Sequence, residues 1–486
     1  MGAIATLLSL LGSWIPSLWG DEAASVLSAQ RSVPSLLGML RHVDAVHGTY
    51  YLALHWWVAV FGPSPFSVRV PSAIAVGLGA VAVVHLAARL SGRRTALFAG
   101  LVYCLLPRVT YMGEEARAYA LDAALAAWLL VLLVDLVQRR RTSRRAWVVY
   151  AVLLALGVYL FLYLALFVVV HGVVLLAARV PRTVWRRWLI ATVAAMAAAS
   201  PVIAVSISER AQVAFLANRN TTGFTSLAVG LWFSTWWVAL VAWALIAVAV
   251  VAWARRLLLP AADRREHLSS PSIEAVTFAW LLIPGGLLLL STLIVADFSG
   301  RYLSMCAPAA ALAVGIGLER LASRRVALGI TAAVVVLASC VPVYAAQRTP
   351  YAKNQSDWAE ISATISEHSE PGQAVVFDET IKPSKRPRLA YRTYPAGFRG
   401  LDDVALAVPY DQAPTWHDET LTVSQAVSRR RLVGHSTVWL IEYATPSHVD
   451  VYGRSALESD GYSIVASYRT HRSVIYRLVH GAPLKR

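Results

Sequence analysis

The chain has 486 residues, 57% of them hydrophobic and only 15% charged, with a positive mean hydropathy. Soluble domains average about 45–50% apolar and about 25% charged residues, so an ordinary water-soluble protein is excluded. A net charge of +16 does not mark a nucleic-acid binder either, because the basic residues fall in short groups between apolar runs.

The apolar excess lies in blocks long enough to cross a hydrocarbon core of about 30 Å, and these blocks end near Tyr344. Between them lie Arg89/Arg93/Arg94, Arg139/Arg140/Arg141/Arg144/Arg145, Arg179/Arg182/Arg186/Arg187, Arg255/Arg256/Arg264/Arg265 and Arg320/Arg324/Arg325. Only Asp135, Asp263, Glu266, Glu274 and Glu319 accompany them, and the intervening loops and the tail are near charge balance. Basic residues collect on the cytoplasmic side of membrane proteins, so these groups mark cytoplasmic turns.

Alternation then predicts about eleven spans. The first covers about 1–18 and leads outward. It begins at Met1 without a basic flank or a small-residue cleavage site, which argues against a signal peptide. A long outer loop follows over 19–65. Within it, Gly48–Phe61 is apolar but only about 21 Å long as a helix. Were it a span, every later arginine group would move outside, so it reads as a re-entrant or interface-lying helix. Its Tyr50, Tyr51, Trp56 and Trp57 are then expected at the lipid headgroups. Further spans are expected over 66–90, 95–111 and 119–138, and two within 146–178 around an outer turn near Leu160–Tyr163. The last are expected over 188–207, 227–254, 273–295, 302–319 and 326–344, with an outer loop over 208–226. An odd count puts the N-terminus in the cytoplasm and the C-terminus outside. Cys104, Cys306 and Cys340 all lie in apolar runs and read as small buried hydrophobes.

Beyond the last span the composition changes. A helix is predicted over 357–368, strands over 374–377, 437–443, 462–468 and 473–479, and a helix end at 457–460. The expected organisation is a membrane module over 1–344 and a small extracytoplasmic α/β domain over 345–486.

Four polar constellations fall on the predicted outer face. Asp21 and Glu22 follow the first span, where the negative end of a helix dipole disfavours two carboxylates. They read as a functional pair, as a solvated turn, or with Asp21 as the N-cap of the next helix. Glu115, Tyr119 and Asp122 are spaced i, i+4, i+7 on one helix face. Asp122 lies inside an apolar run and marks a pathway or site unless it pairs with Arg117, as a structural ion pair, or with a backbone group. Asp297–Tyr302 holds Arg301, suited to a lipid phosphate or a phosphorylated substrate, and Asp44 and His47 precede the aromatic dip. Acids, arginines and aromatic rings at a lipid interface suit a reaction on a membrane-anchored phosphate ester, a carboxylate taking the acceptor proton while arginines hold the departing phosphate.

These motifs resemble the polyprenyl-phosphate-sugar-dependent glycosyltransferases of the GT-C superfamily, which include protein O-mannosyltransferases and lipid A aminoarabinose transferases. The matching residues are Asp21-Glu22, His47-Gly48-Thr49-Tyr50-Tyr51, Phe61-Gly62 with Arg69-Val70-Pro71-Ser72, Glu115–Asp122 and Arg301-Tyr302-Leu303. The likeness covers roughly residues 1–320, and its Asp-Glu and Glu-Ala-Arg pattern looks like that of envelope mannosyl- or arabinosyltransferases of high-GC bacteria. The resemblance implies Asp21 as general base, with Glu22 positioning it or helping to bind a metal. It maps a second carboxylate onto Glu115 or Asp122 and puts Arg301 against the donor phosphate. Asp44, His47, Tyr50, Tyr51, Arg117, Tyr119 and Tyr302 become candidate substrate-binding residues. A divalent cation is a candidate cofactor, with Asp21, Glu22 and Glu115 as its ligands should one bind. The implied partners are a polyprenyl-phosphate sugar, an envelope acceptor and membrane lipid, with no nucleic acid. The chain departs from the lipid A enzymes in having Val46-His47 where they carry a lysine and a proline, and it lacks the lumenal repeats of the protein mannosyltransferases. A transporter or flippase is disfavoured because no internal repeat is present and the acids cluster at one predicted face.

Overall fold

A computed structural model describes residues 1–138, 143–209, 222–258, 271–294, 298–444 and 452–482. Arg139, Arg140 and Arg141, the group Asp263, Arg264, Arg265 and Glu266, Asp297, and most of the predicted outer loop 208–226 lie outside the described residues. The chain divides into two compact units. One comprises Met1–Leu11, Asp44–Tyr50 and Arg69–Ala346, and the other Gly12–Val43, Tyr51–Val68 and Gln347–Arg486.

In chain order the first helices are α1 (Gly2–Leu10), α2 (Gly20–Gln30), α3 (Val33–Met39), α4 (Gly48–Phe61), α5 (Pro65–Leu90), α6 (Arg93–Leu105), α7 (Pro107–Gly113) and α8 (Tyr119–Gln138). Then come α9 (Arg144–Leu160), α10 (Phe167–Ala177), α11 (Arg182–Ser208), α12 (Trp236–Leu258), α13 (Ile273–Ser291), α14 (Ala307–Arg324) and α15 (Val326–Gln347). Seven helices among the described residues are long and apolar enough to cross a membrane, or eight if α6 and α7, bent by 57°, form one span. The shortfall from eleven has local causes. The first predicted span stops at Leu10, because Gly12 adopts φ +77° and Pro16 follows. The stretch 146–178 forms α9 and a shorter apolar helical stretch, Leu162–Ala177, neither reaching eighteen residues. In the third, the residue before Pro107 leaves helical geometry.

The first unit is packed through small side chains. The buried face of α14 carries Ala307, Ala309, Ala310, Ala311, Ala313, Gly315 and Gly317. A Cβ on Gly315 would lie 2.7 Å from the backbone of Ala99 in α6, and one on Gly317 would run into the Leu245 carbonyl of α12. Close backbone approach of this kind is how helices associate where lipid removes the hydrophobic drive between them. The few acids of the arginine groups are used for pairing. Asp135 meets Arg89 at 2.7 Å, and buried Glu274 meets Arg320 at 2.9 Å and Arg256 at 3.4 Å.

In the second unit, α16 (Trp358–His368), α17 (Arg388–Thr393), α18 (Val423–Ser428) and α19 (Tyr452–Ser459) surround a mixed sheet. Its strands are β1 (Ala374–Phe377), β2 (Asp402–Asp403), β5 (Thr437–Tyr443), β6 (Tyr462–Arg469) and β7 (Ser473–His480), in the order β2-β1-β5-β7-β6, while β3 (Leu406–Val408) and β4 (Glu419–Thr420) form a separate pair. β1 runs parallel to β2 and β5, and β7 is antiparallel to β5 and β6. Alternation sends Val375, Phe377, Trp439 and Ile441 to one core with Trp358 and Ile361, and Ala374, Val376, Val438 and Leu440 to another with Leu457 and Leu478. A sheet covered on both faces reads as continuous apolar runs, which is why its central strands were visible in the sequence.

Candidate functional site

In the first unit the site begins where α7 ends. Pro107 starts this short helix, and Glu114–Ala118 form a turn before α8. The Ser72 hydroxyl of α5 donates to the Glu115 carbonyl at 2.6 Å and reaches the Arg117 carbonyl at 3.3 Å, holding the turn in place. Glu115 and Arg117 are both buried. Because α8 starts at Tyr119, Glu115 does not share a helix face with Tyr119 and Asp122, as an uninterrupted helix would have required.

From this turn the Arg117 guanidinium donates to Nε2 of half-buried His47 at 2.9 Å. Nε2 therefore accepts, and the ring is a neutral imidazole with its proton on Nδ1. Burial, then the positive charges of Arg117 and Arg301, hold the His47 pKa well below the ordinary histidine value. Asp44, left-handed at φ 59°, precedes the short 3₁₀ turn that carries His47, and Glu209 accepts from the Ala45 N–H at 3.1 Å.

Arg301 comes from the 3₁₀ turn Gly300–Cys306. Its neighbour Tyr302 stacks on Tyr163 with ring centres 4.9 Å apart. Phe161 lies 5.8 Å from Tyr302 and 5.5 Å from Tyr119, which joins the two predicted tyrosines through one ring. Asp122 is buried in α8 beside Cys306, and its Oδ1 has no hydrogen-bond partner among the described residues. A carboxyl buried in this manner is poorly explained as a structural ion pair.

Arg108 was missed by sequence reasoning. Its Nε donates to the Leu231 carbonyl at 2.7 Å and its side chain to the Gly230 carbonyl at 3.1 Å, while Glu115, Arg301, Tyr111 and Tyr119 supply the charged and polar groups acting on it. Its signal was present: an arginine inside the apolar stretch 95–111, at the end opposite the cytoplasmic arginines. Phe161 and Tyr163 fall in the predicted outer turn Leu160–Tyr163, and Ser72 ends the Arg69–Ser72 motif, but neither signal singled them out as site residues.

Asp21 and Glu22 belong to the second unit, in the first turn of α2. Their setting corrects the dipole expectation. The first helix ends at Leu10 and α2 begins at Gly20, so both carboxylates sit at a positive helix end, which favours them. Trp19, not Asp21, is the N-cap. Glu22 is fully buried and Asp21 half-buried. Tyr50 and Tyr51 are also buried, so they do not face headgroups as expected. Trp56 is exposed, and Trp57 donates to the Ser67 carbonyl at 2.9 Å. Among the described residues no three His, Cys, Asp or Glu side chains group so as to hold a metal ion.

Residues 49–205 match the family model described as dolichyl-phosphate-mannose-protein mannosyltransferase. No curated protein matches in sequence. Among solved structures, the chain is similar to ArnT from Cupriavidus metallidurans bound to undecaprenyl phosphate, with a TM-score of 0.62, 14% identity, and 98% of this chain and 96% of that one covered. The apo form of the same protein gives a TM-score of 0.59 at 14% identity, with the same coverage. The Archaeoglobus fulgidus oligosaccharyltransferase tethered with an acceptor peptide gives 0.50 at 10% identity, with 98% and 74% covered. The chain is thus a multi-pass membrane protein with the fold of the GT-C membrane glycosyltransferases.

Proposed function

We propose that the chain is an inverting glycosyltransferase that moves a sugar, mannose foremost, from a polyprenyl-phosphate donor to an envelope glycan, lipid or protein acceptor. The reaction takes place at the outer face of the cytoplasmic membrane, with the N-terminus in the cytoplasm and the α/β region outside. The observation that carries the reading is the gathering of Arg117 and Arg301 around one neutral imidazole, with Arg108 also within electrostatic reach of Arg301. A phosphate ester suits such a group of arginines, because it accepts charge-assisted hydrogen bonds from guanidinium groups. The rings of Tyr119, Phe161, Tyr163 and Tyr302 offer an apolar surface for the donor. The similar structures, ArnT bound to undecaprenyl phosphate and the oligosaccharyltransferase tethered with an acceptor peptide, support the same chemistry.

In this reading Asp21 takes the proton from an acceptor hydroxyl and Glu22 supports it. The acceptor oxygen attacks the anomeric carbon as the bond from that carbon to the phosphate oxygen breaks, and polyprenyl phosphate leaves against Arg301 and Arg117. Asp122, buried near the aromatic group, is the second carboxyl that contacts the donor. The test incubates purified protein with radiolabelled polyprenyl-phosphate mannose, and separately with the arabinose donor, in the presence of an envelope extract. Transfer from mannose is expected. Transfer from arabinose alone would favour an arabinofuranosyltransferase. Asp21→Asn should lower the rate by about 10²–10⁴-fold in folded protein; near-native turnover in that variant overturns the base assignment.

A further inference from the structure

The second unit combines pieces of chain distant in sequence. Residues 12–43 belong to the same compact body as 347–486, so α2, with its acid pair, is built into the core of the α/β fold. Gly20, Ala23, Leu27 and Arg31 follow each other at i, i+3, i+7 and i+11, which places them along one stripe of a helix with 3.6 residues per turn. Each makes a specific contact. A Cβ on Gly20 would lie 2.5 Å from the Ser384 carbonyl, so only glycine permits that approach. Ala23 and Leu27 enter the core formed by Trp358, Ile361, Phe377 and Trp439. Asp21 lies about 100° around the helix from Gly20, off the docking stripe.

Both ends of α2 are tied down. At its entry the Ser17 N–H donates to the Pro350 carbonyl at 2.9 Å, the Ser356 hydroxyl to the Leu18 carbonyl at 2.7 Å, and the Leu18 N–H to the Tyr394 hydroxyl at 2.8 Å. At its exit the fully buried Arg31 donates to three main-chain carbonyls of one loop, those of Tyr410, Ala413 and Thr415, and to Ser35 Oγ at 3.1 Å. Ser35 in turn donates to the Asp411 carbonyl. The loop is itself fixed, since Asp418 accepts from the Tyr410 N–H at 2.8 Å and holds Arg392 of α17 bidentately at 2.7 and 2.8 Å. A planar guanidinium with five donors can satisfy these four acceptors at once, whereas a lysine ammonium has three donors on a single atom.

We propose that the α/β fold is the platform that holds the acid-bearing helix in register, and that Arg31 is the positioning residue that locks it there. The catalytic part of this inference rests on the glycosyltransferase reading; the mechanical part does not. Removal of the lock lets α2 shift and displaces Asp21, and a misplacement of about 1 Å can cost on the order of 10²-fold in rate.

The test uses full-length Arg31→Lys, with Ser35→Ala as a milder companion that removes one of the guanidinium's partners. Amide hydrogen exchange is read over residues 20–30 and over β5 and β7, alongside transfer from radiolabelled polyprenyl-phosphate mannose. In Arg31→Lys, exchange in α2 should speed up on the order of tenfold while β5 and β7 stay protected. The kcat should fall on the order of tenfold or more with donor KM within about twofold of native. Ser35→Ala should shift both in the same direction by less, and it alone decides the matter if Arg31→Lys does not fold. Native exchange in α2, or equal loss of protection in α2 and the sheet, overturns the platform role. Native kcat with loosened α2 overturns the positioning role. Asp21→Asn run in parallel separates the failures: if that variant keeps full turnover, the base assignment has failed and not the lock.

Discussion

The two units solve the packing problem with opposite residue types. In the first, α14 meets α6 and α12 through alanines and glycines, with backbones so close that a single Cβ has no room. In the second, Trp358, Trp439, Phe377 and a set of isoleucines fill the cores around a sheet. The difference follows from the solvent. Large apolar side chains gain from leaving water, at roughly 25 cal/mol per Å² buried, and lipid offers helices no such gain. Close fit must then replace hydrophobic drive. Ion pairing does not follow that division: Arg388 meets Glu379 and Asp403 in the second unit, and buried Glu274 meets Arg320 in the first.

That contrast can be broken by mutation. Trp439→Ala should cost about 3–5 kcal/mol of stability, because its indole fills the sheet core and its Nε1 donates to Gln373 at 2.7 Å. The loss should appear as early melting of the α/β region, read by near-UV circular dichroism, with the helical signal of the membrane module retained. Gly317→Val should cost about 1–3 kcal/mol by forcing α14 away from Leu245, and should lower the melting temperature of the helical signal instead. Equal effects of both variants on both signals would mean that the units do not differ as described.

His47 gives a smaller effect that sharpens the electrostatic side. Its folded pKa is depressed and its unfolded value is about 6.5, so the folded protein binds less proton than the unfolded chain below that pH. The stability this group supports is complete above about pH 6.5 and declines as pH falls from there toward the folded pKa. His47→Gln keeps a neutral acceptor for Arg117 and removes the titration. Its melting temperature should therefore fall less than that of the native protein between about pH 7.5 and about pH 5.5. Parallel declines would show that His47 is not held neutral.

Much of this organisation was legible in the sequence because it depends on local or strongly periodic signals. The apolar helix 48–61 and the strands 374–377 and 437–443 appear with the expected bounds, since their residues are mostly apolar and flanked by turn formers. The first helix was overextended because hydropathy counts Gly12 and Pro16 among apolar neighbours while the backbone turns there. Recruitment of α2 into the α/β core was not readable, as it depends on contacts between residues more than 300 positions apart. Of the candidate site, the sequence showed His47, Arg117 and Arg301 by residue type and predicted side. It placed Phe161 in an outer turn but could not show that this ring links Tyr119 to Tyr302, because that contact joins segments far apart in sequence.

The proposed orientation underlies the whole functional account, and substituted-cysteine labelling in intact cells tests it most directly. In a background lacking Cys104, Cys306 and Cys340, all buried, single exposed cysteines replace Arg41, Phe224, Asp402, Arg94 and Arg324 in turn. A membrane-impermeant maleimide should label the first three positions in intact cells and the last two only after permeabilisation. Labelling of Arg324→Cys in intact cells, or protection of Arg41→Cys, would put the acid pair on the cytoplasmic side and contradict sugar transfer at the outer face.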